Sequence, residues 1–94
     1  MIKIAIVGFG TVGESVARIL IDDPREQLSL SMIFNRNVQR KKVDWISSDV
    51  VWTEDFEVVL ESDVDVIVEL VGGMHPAADW LEAGLAAGKA VVTA

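Results

Sequence analysis

Six residues near the start of the chain constrain it most: Gly8-Phe9-Gly10-Thr11-Val12-Gly13. They follow Ile2 to Val7, a β-branched apolar run broken only by Lys3 and Ala5. That run is short and closes at Gly8, as a strand buried on both faces does. The period then changes. From Gly10 to Ile21, the residues Val12, Val16, Ile19 and Leu20 fall at i, i+4, i+7 and i+8 and predict one apolar helical stripe. A G-x-G-x-x-G that follows a strand and opens a helix, inside a β-α-β unit of about 30 residues, is the setting in which the motif holds a dinucleotide. Gly8 permits the tight turn. Gly10 lacks a Cβ, so a pyrophosphate can approach the backbone. Gly13 lets the helix pack closely on the strand. The N–H groups around Thr11 and Val12 then face the phosphates.

The rest of the chain alternates in the same way. Asp22-Asp23-Pro24 ends the first helix, and Leu28 to Phe34 reads as a second strand. Asn35 to Asp44 is polar and basic, a loop or a frayed helical turn. Val50 to Trp52 is a short third strand. Thr53 offers an N-cap to a helix whose buried stripe is Phe56, Val59 and Leu60. Val64 to Val71 reads as a central strand stopped by Gly72-Gly73. His75-Pro76 opens a helix with Trp80, Leu81, Gly84 and Leu85 inward and Gly88 as its stop, and Ala90 to Thr93 is a fifth strand. This order predicts one α/β domain over residues 1–94. It is a doubly wound, Rossmann-type parallel sheet of about five strands in order 3-2-1-4-5, with its ligand crevice between strands 1 and 4.

Composition narrows the function. The chain has 94 residues, 51% of them hydrophobic, no Cys and a net charge of −7. It is therefore no disordered tail and has no disulfide framework. No apolar run reaches the roughly 18 residues of a membrane span. Met1-Ile2-Lys3 enters a strand at once and leaves no room for a secretory leader, so a cytoplasmic setting is expected. The acidity argues against nucleic acid as a partner. It does not argue against a phosphorylated ligand. Residues 1–46 carry seven basic and five acidic side chains (7 − 5 = +2), whereas residues 47–94 carry one basic and ten acidic (1 − 10 = −9).

The cofactor's second phosphate can be addressed from the end of strand 2. A site for NAD places an acid there, about 20 residues past the glycines, to hold the ribose 2′-hydroxyl. Here that position is Asn35, followed by Arg36, Arg40, Lys41 and Lys42. An acid would repel a 2′-phosphate, while Asn35 and the planar fork of Arg36 would accept it. NADP is therefore the expected cofactor, with NAD tolerated. For Lys41 and Lys42 a solvated basic loop is the plainer reading. On the opposite side of the crevice, Gly72 and Gly73 would let the nicotinamide ribose and ring lie close to backbone, although a plain strand-to-helix turn explains them equally well.

The blocks Ile4 to Gly13, Val66 to Gly73, Pro76-Ala77 and Lys89 to Ala94 together resemble the nucleotide-binding domain of homoserine dehydrogenase. The resemblance covers nearly the whole chain. It implies NAD(P)-dependent interconversion of L-homoserine and L-aspartate 4-semialdehyde, on the route to threonine, methionine and isoleucine. It further implies that Phe9, Gly10, Thr11, Val12 and Gly13 line the pyrophosphate, that Arg36 sits at the adenosine 2′ position, and that Gly72, Gly73 and Thr93 border the nicotinamide end. Members of the family continue past Thr93-Ala94 with Asn-Lys, that lysine belonging to the active site, and carry a substrate-binding and dimerising domain. The 94 residues are thus expected to bind cofactor without turning over the amino-acid substrate.

Candidate catalytic groups are sparse. His75 reads as a helix cap, Glu69 as a strand-end residue bonded to a nearby turn, and Trp45, Trp52 and Trp80 as core or edge cover. No metal-ligand cluster stands out. Two other identities fit the same residues: the first domain of an aspartate dehydrogenase-like reductase, and a stand-alone nucleotide-binding or sensing module. The apolar strand Ala90 to Thr93 is expected at a sheet edge, where pairing with a second copy could build a homo-oligomer.

Overall fold

The computed structural model describes residues 1–23, 27–71 and 77–93. Their elements run β1 (Ile2–Val7), α1 (Thr11–Asp22), β2 (Leu28–Phe34), α2 (Val38–Lys41), β3 (Val51–Thr53), α3 (Phe56–Glu61), β4 (Val66–Glu69), α4 (Ala77–Ala86) and β5 (Ala90–Thr93). The five strands form one sheet in the order β3-β2-β1-β4-β5, and every neighbouring pair is parallel. The doubly wound arrangement expected from the alternation is borne out, including the reversal of strand order beside β1. Among the described residues no helix is long and apolar enough to cross a membrane.

The central strands are apolar on both faces because both are covered. Ile6 and Ile33 pack with Ala17, Val16 and Leu20 of α1, and with Trp45, Ile46 and Val50 from the segment after α2. Ala5, Val7, Met32, Phe34 and Ile67 pack on the other face with Val59 of α3 and Trp80 of α4. Each large side chain fully buried in this way contributes about 1.5–3 kcal/mol. Phe34, Phe56 and Trp80 pack as a triad, with Phe34 edge-on to both other rings.

Four local expectations need correction. In α1, Val12 and Ile19 are 56% and 69% exposed, and the face on the sheet is Gly13, Val16, Ala17 and Leu20. In α4, Leu85 is 62% exposed, while Gly84 is buried and a Cβ there would lie 3.1 Å from both Ile67 and Val91. Small residues let both helices sit close to the sheet, which turns some of the large apolar residues outward. The cap of α3 is Asp55, whose carboxylate accepts the N–H of Glu57. Thr53 instead ends β3 and accepts the N–H of Asp55 at its hydroxyl. The central strand β4 runs only from Val66 to Glu69, shorter than the apolar run that announced it.

At the opposite end of the sheet from the glycine turn, the ammonium of Lys89 donates to the carbonyls of Ser62 (2.8 Å) and Val64 (2.9 Å), joining the start of β5 to the connection between α3 and β4. Lys89→Met keeps the aliphatic stem and orphans both acceptors. It is expected to lower stability by about 1–3 kcal/mol, read as a lower urea midpoint with an unchanged slope.

Candidate functional site

The glycine turn is shaped by contacts that each of its residues makes differently. Gly8 has φ +101°, a conformation that L side chains rarely adopt. Its N–H donates to the Phe34 carbonyl at 2.9 Å. Phe9 points inward and is buried, with Trp52 edge-on at 5.1 Å and Trp45 at 6.4 Å between ring centroids. Only the backbone of Phe9 can therefore meet a ligand, and its N–H is already given to the Asn35 side-chain oxygen at 3.0 Å. Gly10 caps α1 with no side-chain hydrogen bond. The first-turn N–H groups have no intrahelical partner and lie at the positive end of the helix dipole. Thr11 and Val12 are exposed there.

Gly10 and Gly13 lack a side chain for opposite reasons. A Cβ on Gly13 would lie 2.3 Å from the Gly8 carbonyl oxygen, so the protein itself excludes one. Among the described residues beyond its chain neighbours, a Cβ on Gly10 would meet nothing within 4 Å. Packing among the described residues does not explain Gly10, and the open space beside it is where the motif seats a pyrophosphate. The turn therefore fits a dinucleotide.

A cleft of about 240 Å³ opens at this turn, between the carboxyl ends of β1, β2 and β4. Gly8, Phe9 and Gly10 line it with Phe34, Asn35 and Arg36 from the end of β2 and Leu70 and Val71 beyond β4. Lys41 lines it too, which the basic-loop reading did not anticipate. Its approach is made by α2: Asn37 caps that single turn by accepting the N–H of Arg40 at 3.1 Å, and Glu54 accepts the N–H of Val38 at 2.8 Å. An asparagine three residues before Arg40 was the available signal. Lys42 is exposed and is not part of the lining.

Asn35 is already engaged at both ends of its amide. Besides accepting from Phe9, it donates to the Asn37 carbonyl at 3.3 Å, so it joins the glycine turn to the loop that carries Arg36. Arg36 is exposed, with its guanidinium carbon 5.7 Å from the Trp80 ring centroid. Across the cleft, Glu69 is buried and accepts the N–H of Val71 and the hydroxyl of Thr93, as a strand-end residue bonded to its turn. Gly72, Gly73, His75, Pro76 and Ala94 lie outside the described residues. Among the described residues no cluster of His, Cys, Asp or Glu could hold a metal ion.

Residues 8–94 match the family model described as homoserine dehydrogenase, NAD binding domain. The chain belongs to this family. The homoserine dehydrogenase of Bacillus subtilis strain 168 is 30% identical over 101 residues, covering 99% of this chain and 23% of its own length. That of Lactococcus lactis is 33% identical over 104 residues, covering 99% and 24%. A crystal structure of S. aureus homoserine dehydrogenase superposes with a TM-score of 0.88 at 33% identity, covering 99% of this chain and 25% of that one. The chain thus spans about a quarter of the length of the homoserine dehydrogenases it matches. The family is one of oxidoreductases, and its nucleotide-binding unit is the part to which these residues correspond.

Proposed function

We propose that residues 1–94 are the dinucleotide-binding domain of a homoserine dehydrogenase that interconverts L-homoserine and L-aspartate 4-semialdehyde, with NADP preferred over NAD. The observation that carries the reading is the open space at Gly10, set against the crowding at Gly13 in the same turn. In this reading the first-turn N–H groups of α1 take the pyrophosphate. Arg36 and Lys41, on one side of the cleft, take the 2′-phosphate. Asn35 supports them indirectly, since its amide is committed to Phe9 and Asn37. Val71 and Thr93, together with Gly72 and Gly73, border the nicotinamide half. When bound, the nicotinamide supplies the hydride acceptor or donor. These residues bind and orient it, and the amino-acid substrate belongs with groups other than those described.

Calorimetric titration with NADP and NAD at low and high salt tests this. NADP is expected to bind more tightly at low salt. The gap should narrow at about 1 M salt, where the screening length falls to about 3 Å. Equal affinities at low salt would remove the NADP preference, and no binding of either would remove the cofactor reading.

A further inference from the structure

Glu69 ends β4 and is 3% exposed, the one buried acidic or basic side chain among the described residues. A carboxylate is unfavourable in such a place unless donors hold it. Among its bonds to described residues, its two oxygens reach two different elements. One accepts the N–H of Val71 at 2.6 Å, just beyond β4. The other accepts the hydroxyl of Thr93 at 2.8 Å, at the end of β5, directly opposite Glu69 in the register of the two strands. Val71 is also the residue against which the glycine turn rests. A Cβ on Gly8 would lie 3.0 Å from both its nitrogen and its side chain. Glu69 therefore holds the residue on which the glycine turn rests, and that residue also lines the cleft.

We infer that Glu69 is a positioning residue: it ties the ends of β4 and β5 together and thereby sets the crevice wall that receives the nicotinamide half of the cofactor. This rests on the cofactor reading above. The strand order puts Arg36 and Lys41 on the β2 side of the glycine turn and Val71 and Thr93 on the other. A dinucleotide with its phosphates at the turn and its 2′-phosphate at Arg36 must extend its second half along Val71 and Thr93. The brace needs hydrogen-bonding shape and not charge. Glutamine can accept from the Val71 N–H through its oxygen and donate to the Thr93 hydroxyl oxygen, which turns to receive it. Leucine can do neither.

The test titrates the whole chain with NADP and with adenosine 2′,5′-bisphosphate, which is the cofactor's other half alone. Glu69→Leu is expected to weaken NADP about tenfold or more while adenosine 2′,5′-bisphosphate stays within about twofold of wild type. Glu69→Gln is expected to stay within about threefold for both ligands, and Thr93→Val to weaken NADP alone by about threefold. Wild-type NADP affinity in Glu69→Leu overturns the inference. So does an equal loss of both ligands, which marks a general structural role, and so does a Glu69→Gln as weak as the leucine variant, which marks a role for charge. Should Glu69→Leu not fold, Thr93→Val decides: unchanged NADP affinity there overturns the inference. A wild-type chain that binds neither ligand overturns the cofactor reading itself and this inference with it.

Discussion

Gly10→Ala is expected to fold as the wild-type chain does and to bind NADP about a hundredfold more weakly, a difference of about 2.7 kcal/mol. The added methyl meets no atom of the described residues within 4 Å beyond its chain neighbours, and the backbone at Gly10 (φ −90°, ψ −154°) is extended, as alanine's can be. Such a replacement commonly raises stability by about 0.4–1 kcal/mol, through the unfolded chain. The methyl does occupy the space a pyrophosphate would use. Gly13→Ala has the opposite profile. Its Cβ would stand 2.3 Å from the Gly8 carbonyl oxygen; a Cβ is fixed by its backbone and the oxygen is backbone, so no rotamer relieves the clash and α1 must move off β1. A loss of about 3 kcal/mol is expected, and for a domain of this size the melting temperature falls by about 12–24 °C. Thermal melts and NADP titrations of the two variants separate the roles. A Gly10→Ala chain that binds NADP normally would mean that the open space at the turn is not a phosphate site.

Arg36→Ala is expected to weaken NADP by about thirtyfold, from the loss of about 2 kcal/mol of charge-assisted hydrogen bonding, and to leave NAD within about twofold. The side chain is exposed and lines the cleft, so truncation removes a ligand contact without opening the core. Its guanidinium lies over Trp80, which favours one orientation before a ligand arrives. Lys41→Ala should show the same selectivity with a smaller effect, because an ammonium offers a point charge without the planar fork. The measurement is the ratio of the NADP and NAD dissociation constants at low salt. Parallel loss of both cofactors would place Arg36 in the support of the loop and not at the 2′-phosphate.

The strands were legible because period and length speak plainly in a doubly covered sheet. Ile2–Val7, Leu28–Phe34 and Ala90–Thr93 stand where the apolar runs put them. Even the change in pattern within β2, from alternating Leu and Ser to continuous apolar residues, has a structural counterpart. The register slips by one there, Ile4 pairing with Leu30 and Ala5 with Met32, so Ser31 has no partner on β1. The helix faces were less legible. A stripe drawn through the largest apolar residues of α1 misses Ala17, which is buried because it is small, whereas Gly13 and Gly84 lie against the sheet as their positions announced. In the cleft, the glycine turn and the residues after β2 were legible from spacing. Lys41 was not, since its approach depends on one short helical turn that no long-range periodicity announces. The engagement of Asn35 with Phe9 was not legible either, because it joins residues 26 positions apart.

Phe9 has a consequence for how tightly any ligand can be held at the turn. Its ring is sunk among Trp45, Trp52 and the α1 face of the core, between two glycines whose backbones border the cleft. Fixing one backbone residue takes about 1–2 kcal/mol of conformational entropy. A bare glycine-rich loop would have to surrender that freedom at the moment of binding. Here the ring surrenders it when the chain folds, so an arriving dinucleotide meets a cradle already set. A substitution that loosens the tryptophans beneath Phe9 should therefore weaken the ligand, although it touches none of the ligand's atoms.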